Sequence, residues 1–215
     1  MARPTRPDQA ALLLAVASAA LRYPSAAVLD ARPELIALPA DLPPTAAVRS
    51  LRRFLAWWAG VPRLELQQTY VETFDLHKRC SLYLTYYLFG DRRQRGQEFV
   101  RFKRLYEAAG WQLTGRELPD YLPLILEFAA LEPDSGGTIL HESRVGLELL
   151  RQALRSADSP YADLVDSVCL GLPALEDEGW TLVRRLAQEG PPGEQVGLEP
   201  FGPPEAMPLP GYPAR

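Results

Sequence analysis

The sequence has few of the residues from which metal sites, disulfide frameworks and catalytic centres are built. Its 215 residues include two cysteines, Cys80 and Cys169, and two histidines, His77 and His141. Two cysteines are too few for a disulfide framework and are typical of a reducing compartment, although a single Cys80–Cys169 bridge stays open. We therefore expect a cytoplasmic protein that is held together by its apolar core.

Strong charge and long apolar runs are also missing. The formal net charge is only −4, so the sequence offers no strongly basic surface and predicts no nucleic-acid partner. No apolar run reaches the ~18 residues that a membrane-spanning helix needs, so we expect no membrane insertion. These absences leave a protein that acts on other proteins or on small molecules.

No sequence motif completes a metal or catalytic site. His77 and Cys80 are three residues apart, but His141 and Cys169 do not supply the second closely spaced pair of a zinc site. His141 begins an HExxH-like sequence in which Val145 stands where the second histidine is needed. Nucleophile-elbow and phosphate-binding motifs are missing as well. We expect no metal, no cofactor and no enzymatic activity; the alternative is a redox or cofactor-delivery factor that uses Cys80 and His77.

The N-terminal apolar run, residues 10–20, fits two interpretations. Two arginines precede it, which gives it the outline of a signal peptide, but Asp8 interrupts the basic region. The run also has helical spacing, with one apolar face that contains Leu13, Val16, Ala17 and Ala20. We expect the first helix of a folded core, and a secreted helical domain is the alternative.

Leu and Ala are abundant, whereas the β-branched residues are few, and this balance favours helices. The predicted fold is an all-α, TorD-like single-domain bundle of about nine or ten helices over residues 1–189. Residues 190–215 are half Gly or Pro and are predicted to form a flexible tail without a packed core.

Capping residues and apolar periodicity predict the helix boundaries. The first four helices are expected at residues 7–22, 25–38, 45–60 and 62–74. A fifth helix, Leu82–Phe89, follows a cap at Ser81 and is apolar almost all the way round, so it is expected to be the buried centre of the bundle. Asp91 and Asp120 are expected to cap the sixth and seventh helices, and residues 134–156 are expected to form one long helix.

The densest aromatic stretch of the chain is Tyr70–Asp91, which reads YVETFDLHKRCSLYLTYYLFGD. At helical spacing, Tyr70 and Phe74 form an apolar stripe beside the carboxylates of Glu72 and Asp75. Acidic residues beside exposed aromatic rings suit a basic amphipathic peptide, because apolar contact and arginine–carboxylate pairing are all that such binding needs. The alternative is an ordinary solvated helix face.

Four collinear blocks of this sequence, YVETFD, CSLYLTYY, RFKRLYEAAG and ELPDYLPLILEF, resemble the NarJ family. The resemblance covers about residues 8–190. It implies an assembly chaperone that binds the N-terminal segment of the apo catalytic (alpha) subunit of respiratory nitrate reductase in the cytoplasm. Such a chaperone keeps its client competent for molybdenum cofactor insertion and delays membrane docking. A chaperone for another molybdoenzyme is the alternative.

We expect the client-binding groove to lie between helices four, five and seven. Its apolar walls are predicted to be Tyr70, Phe74, Tyr83, Tyr86, Tyr87 and Leu126, and its carboxylates Glu72, Asp75 and Glu127. All of these residues lie within the matching blocks, but the sequence leaves open which side chains are exposed and whether the protein forms oligomers.

Overall fold

The computed structural model of the chain describes residues 9–113 and 117–190. Eleven α-helices form within these ranges: α1 Gln9–Ala20, α2 Ala26–Ala37, α3 Ala46–Gly60, α4 Arg63–Tyr70, α5 Tyr86–Phe89, α6 Arg93–Ala108, α7 Leu122–Leu131, α8 Pro133–Glu142, α9 Arg144–Ser156, α10 Tyr161–Gly171 and α11 Asp177–Glu189. In the same ranges, the extended pairing is limited to one antiparallel bridge between Tyr83 and Tyr121. The prediction of an all-α fold is confirmed.

Helix α10 is the centre of the bundle. It packs against α1, α3 and α9, and seven of its residues are buried, including Tyr161, Leu164 and Val168. A helix that is buried on nearly every side must be surrounded by other elements, because each apolar face needs a partner to exclude water. The centre is therefore α10 rather than the predicted fifth helix.

Helix α1 packs closely against α7 because its buried face is built from small residues. Val16, Ala17 and Ala20 are at most 1% exposed, and the Ser18 hydroxyl donates to the Pro123 carbonyl at 2.7 Å. That bond gives the buried hydroxyl of Ser18 an acceptor in the first turn of α7. The prediction that this run forms a core helix agrees with the structure.

Local capping signals locate several boundaries correctly. The side chains of Ser25 and Thr45 accept from the backbone N–H groups of Val28 and Val48, and so begin α2 and α3. Gly90 follows α5 with φ of 55°, a left-handed conformation that glycine adopts without steric cost.

The prediction of a fifth helix over Leu82–Phe89 is wrong for the first half of that range. Only Tyr86–Phe89 is α-helical, and a short 3₁₀ turn at Lys78–Cys80 precedes it. Between them the chain is extended at Tyr83, which bridges to Tyr121: the N–H of Leu84 donates to the Asp120 carbonyl at 3.1 Å, and the N–H of Leu122 donates to the Leu82 carbonyl at 2.8 Å. Leu82 and Leu84 are buried while Tyr83 between them is half-exposed, which is the two-residue period of a strand.

Two predicted caps and one predicted helix also need correction. Asp91 does not cap α6, whose N-cap is Arg92, and instead forms an ion pair with Arg95 at 3.6 Å. Asp120 does not cap α7, whose N-cap is Tyr121. It is fully buried, and its carboxylate pairs with Arg95 of α6. The long helix predicted over residues 134–156 is two helices, because the chain bends at Ser143 so that α8 packs on α7 and α9 packs on α10.

The last described helix, α11, packs on α9 and ends at Glu189, one residue before the predicted tail. Apart from Gly190, that tail lies outside the described residues. None of the described helices combines the length and the apolarity that crossing a membrane requires.

Candidate functional site

The first acidic block of the sequence lies on an irregular helix end. After α4 the chain widens into a π-helical turn, Val71–Asp75, in which the N–H of Leu76 donates to the Val71 carbonyl at 3.0 Å. Such turns are rare and often occur at functional sites. This turn buries Thr73 and leaves the carboxylates of Glu72 and Asp75 exposed.

Beside these carboxylates lies a cluster of aromatic rings that connects the surface to α10. The Tyr70 ring contacts Tyr23 at 5.5 Å and Phe74 at 4.9 Å between centroids, and Phe74 contacts Tyr161 at 4.8 Å. The Tyr70 hydroxyl donates to the Leu21 carbonyl at 3.1 Å. Tyr70 and Tyr161 therefore belong to the core, whereas Phe74 is half-buried and Tyr23 is 45% exposed.

Tyr121 extends the cluster toward the extended stretch before α5. Its ring lies 5.4 Å from that of Tyr83, whose hydroxyl donates to the Glu117 carboxylate at 3.2 Å. Burial raises the pKa of Tyr83 to about 12, and the negative charge of Glu117 adds to the rise. Burial also raises the pKa of Tyr121, and the nearby charges of Glu117 and Asp75 contribute in the same direction. The negative charges of Asp75 and Glu117 thus both disfavour the ionised form of Tyr121.

Arg95 of α6 covers the far end of the aromatic cluster. Its guanidinium carbon lies 5.9 Å from the Tyr83 ring centroid, 5.8 Å from that of Tyr86 and 5.1 Å from that of Phe99. Cations bind over aromatic faces in this way, and the attraction grows as water is excluded. The side chain of Arg95 is only 15% exposed, so it holds these rings in place and offers little charge to solvent.

Arg95 is held by a buried ion pair with Asp120. One carboxylate oxygen of Asp120 accepts from the backbone N–H of Thr85 at 3.3 Å and from its hydroxyl, and it pairs with Arg95 at 3.3 Å. The other oxygen has no hydrogen-bond partner among the described residues. This buried cluster ties the extended stretch, α6 and the start of α7 together.

Three residues that were predicted as groove walls lie in the core instead. Leu126 is fully buried on α7, and Tyr70 and Tyr87 are 6% and 5% exposed. The Tyr87 hydroxyl lies within hydrogen-bond distance of the carbonyls of Arg79 and Ser81, which fixes it inward. The expectation that these three side chains line an open groove is wrong, because tertiary packing has already covered them.

The third predicted carboxylate, Glu127, is already paired with an arginine of the same chain. Glu127 forms an ion pair with Arg22 at 2.5 Å, and both side chains are less than half exposed. An incoming arginine would have to displace Arg22, so Glu127 contributes less free negative charge than Glu72 or Asp75.

We call the exposed and half-exposed residues of these segments the acidic–aromatic surface. Its members are Tyr23, Glu72, Phe74, Asp75, Tyr83, Tyr86, Glu117 and Tyr121. Five of them were predicted from the sequence, and Tyr23, Glu117 and Tyr121 were not. Glu117 and Tyr121 lie in the ELPDYLPLILEF block, so that block held a signal that a search restricted to helix faces missed.

The alternative role for Cys80 and His77 finds little support in the geometry. Cys80 is 2% exposed, and burial raises the pKa of its thiol, which disfavours the reactive thiolate. The Nδ1 atom of His77 bonds to the Glu72 carbonyl. Both cysteines are free, and within the described residues no group of three or more potential ligands is placed to hold a metal ion.

Comparison with known proteins assigns the chain to a family. The model of the family "Nitrate reductase delta subunit" matches residues 39–166. The nitrate reductase molybdenum cofactor assembly chaperone NarJ of Escherichia coli is 38% identical over 157 residues, 71% of this chain and 66% of the relative. A probable chaperone of the same name from Bacillus subtilis is 40% identical over 115 residues, 53% of this chain and 61% of the relative.

A third relative is longer. The nitrate reductase-like protein NarX of Mycobacterium tuberculosis is 38% identical over 168 residues, which are 78% of this chain but only 25% of that protein. The chain thus spans a quarter of NarX and about three fifths of the Bacillus subtilis relative. The matched family region contains nearly all of the acidic–aromatic surface. The chain belongs to the nitrate reductase delta subunit family.

Proposed function

We propose that this protein is a non-catalytic assembly chaperone of respiratory nitrate reductase. In this proposal it binds the N-terminal segment of the apo catalytic (alpha) subunit in the cytoplasm. It keeps that subunit competent for molybdenum cofactor insertion and delays its docking onto the membrane. The observation that carries the proposal is that the family match includes nearly all of the acidic–aromatic surface, and that relatives of this chain are named as assembly chaperones.

The surface suits an amphipathic helix of basic character. Exposed Tyr23 and half-buried Phe74 offer apolar contact beside the exposed carboxylates of Glu72 and Asp75. Leu76, which follows the π-helical turn, is 69% exposed and extends the apolar contact area. A helix with apolar and arginine faces would bury the first against the rings and pair the second with the carboxylates.

The revised surface differs from the predicted groove in its energetics. Leu126 and Tyr87 are already in the core, so they add no apolar area to the encounter with a client. Glu127 already has its arginine. Binding in this proposal therefore depends mainly on Phe74, Glu72 and Asp75.

The test is a calorimetric titration of the full chain with a peptide that corresponds to the N-terminal segment of the alpha subunit. The double variant Glu72→Gln/Asp75→Asn should bind about tenfold more weakly, because two partly desolvated arginine–carboxylate pairs together contribute about 1.4 kcal/mol. The weakening should shrink as salt concentration rises, since salt screens exposed pairs.

A matched control uses two other exposed carboxylates on one helix. Asp30→Asn/Glu34→Gln on α2 removes the same charge from exposed residues that are not members of the acidic–aromatic surface, and it should leave the affinity unchanged. Equal affinities for the wild type and Glu72→Gln/Asp75→Asn would exclude this surface as the binding site. Failure of the wild-type protein to bind the peptide would exclude the proposed client.

A further inference from the structure

Arg22 borders the acidic–aromatic surface, although its charge is opposite to that of the surface. It directly precedes Tyr23, and its partner Glu127 lies on α7, whose N-cap is Tyr121. Both Tyr23 and Tyr121 belong to the surface. The chain therefore places one of its own arginines on a carboxylate beside the site where, in the proposed function, a basic client binds.

The backbone that carries Arg22 is fixed to α4. The Tyr70 hydroxyl donates to the Leu21 carbonyl at 3.1 Å, and the Gln67 amide donates to the Pro24 carbonyl at 2.9 Å. These two hydrogen bonds hold the chain on both sides of Arg22. The fold thus sets the direction in which the Arg22 side chain leaves the backbone, and the side chain alone is left to move.

The charge of Arg22 acts on the middle of the surface. Burial is the largest cause of the raised pKa of Tyr121, and the charges of Glu117 and Asp75 add to the rise, whereas the charge of Arg22 opposes it. A positive group therefore acts on the same phenol as two of the carboxylates. It lowers the negative potential that a basic client meets at this place.

The ion pair between Arg22 and Glu127 is open to exchange. The two side chains are 43% and 44% exposed, so water reaches both groups. Pairs of this kind add little net stability, because water solvates the separated charges almost as well. By contrast, the side chains of the Arg144–Glu148 pair are 8% and 2% exposed, and breaking that pair would leave buried charges without partners.

We propose, as an extension that rests on the proposed function, that Arg22 is a built-in competitor for a client arginine at Glu127. In the free protein Arg22 occupies this carboxylate; in the complex a client arginine replaces it, and Arg22 turns toward water. One arginine–carboxylate pair replaces another, so the exchange costs little. Because Arg22 is joined to the site by its own backbone, its effective concentration there is high, and it returns when the client arginine leaves.

Arg22 thereby acts as a specificity-determining residue. A client completes the exchange only if it presents an arginine opposite Glu127. Even that client is held less tightly than a free Glu127 carboxylate would hold it, which favours release once assembly is complete.

The exchange is tested by the Nε–H signal of the Arg22 side chain in nuclear magnetic resonance spectra of the isotope-labelled full chain. The signal is assigned by its absence in Arg22→Lys, and the probe is the alpha-subunit peptide of the calorimetric titration. At saturating peptide, the Arg22 signal should move to the position of a solvated arginine. The signal of Arg53, which forms a comparably exposed pair with Asp163 at 2.6 Å, should not move.

The two proposals fail in different ways. Binding of the peptide with an unchanged Arg22 signal would overturn the exchange alone. Failure of the wild-type protein to bind the peptide would overturn the proposed client and the exchange with it.

Affinity provides a second readout. Arg22→Gln should raise the peptide affinity about threefold, because Glu127 then meets the client arginine without a competitor and the small contribution of an exposed pair limits the gain. Partial unfolding of the variant would weaken binding, so a gain in affinity cannot result from it. Arg79→Gln is the matched control, since Arg79 is exposed just after the π-helical turn and the ion pairs of the described residues do not engage it. It removes the same charge without freeing a carboxylate and should raise the affinity less.

Peptides in which each arginine is replaced in turn by glutamine locate the exchanging group. For one of these peptides the gain from Arg22→Gln should disappear, because that peptide lacks the arginine that takes Glu127. An equal gain with every peptide, or an equal gain from Arg79→Gln, would overturn a specific exchange at Glu127.

Discussion

At the scale of single residues, the buried tyrosines differ in whether their hydroxyl groups are bonded. Tyr106 is fully buried and donates to the Pro119 carbonyl at 3.3 Å. Tyr161 is also fully buried, between the rings of Phe54, Trp57 and Phe74, but its hydroxyl has no partner among the described residues. A buried hydroxyl that has lost water without gaining a partner lowers stability.

The variants Tyr161→Phe and Tyr106→Phe should therefore have opposite effects on the free energy of unfolding. Tyr161→Phe should raise it by up to about 1 kcal/mol, because it removes an unpaired polar group and keeps the ring packing. Tyr106→Phe should lower it by about 1 kcal/mol, because it leaves the Pro119 carbonyl without its donor. Urea unfolding followed by circular dichroism measures both. A loss in Tyr161→Phe as large as that in Tyr106→Phe would show that the Tyr161 hydroxyl does have a partner.

At the scale of elements, the sequence predicts what local interactions decide. The boundaries of α2 and α3 follow from caps that lie within three residues of the groups they bind. The errors lie where distant contacts decide. The stretch before α5 is extended because Leu84 pairs with the backbone at Asp120, thirty-six positions later, a contact that no local pattern shows.

The same distinction applies to the candidate site. The sequence identifies the aromatic and acidic residues of the π-helical turn, but the inward position of Leu126 and Tyr87 depends on which faces α7 and α5 bury against other helices. The ion pair between Glu127 and Arg22 joins residues that are 105 positions apart. Residue types are thus readable in the sequence, whereas their availability to a partner is set by the assembled core.

Helix α8 offers a prediction at this scale, because two adjacent glycines in it meet different surroundings. A Cβ atom built on Gly136 would lie 2.3 Å from the Ala129 Cα atom on α7, whereas one built on Gly137 would meet nothing within 4 Å. Gly136→Ala should therefore force α7 and α8 apart and destabilise the protein by about 1–3 kcal/mol. Gly137→Ala should stabilise it by about 0.5–1 kcal/mol, because alanine loses less conformational freedom in a helix.

The midpoint of thermal unfolding distinguishes these two effects. The two substitutions add the same methyl group one position apart, so each is the control for the other. If Gly136→Ala were as stable as Gly137→Ala, α7 and α8 would not be in the close contact described.

At the scale of the whole molecule, buried tyrosines join four helices into one core. Tyr70 ends α4, Tyr87 lies in α5, Tyr106 in α6 and Tyr161 begins α10, and burial is the largest cause of a raised pKa in each. The fold therefore holds these four phenols in the neutral form. In the unfolded chain, each would ionise with the ordinary tyrosine pKa of about 10.

This linkage predicts that the protein loses stability on the alkaline side. Below about pH 9 both states keep nearly all of the four phenol protons, so the phenols add little pH dependence there. Above pH 10 the unfolded chain releases protons that the folded chain retains, and each phenol then lowers the free energy of unfolding by about 1.4 kcal/mol per pH unit. Four of them together lower it by about 5 kcal/mol near pH 11, which is comparable to the ~5–15 kcal/mol that stabilises a typical domain.

Urea unfolding at pH 10 and 11 should therefore show a loss of about 4 kcal/mol between the two values, because the four phenols of the unfolded chain ionise across this interval. The tyrosinate absorbance of the four buried phenols should appear together with the loss of helical circular dichroism, because ionisation requires unfolding. In Tyr161→Phe the loss between pH 10 and 11 should be smaller by about 1 kcal/mol, since one linked proton has been removed. Tyrosinate absorbance from all of the tyrosines at pH 11 while the helical signal stays intact would mean that the core does not hold these phenols neutral.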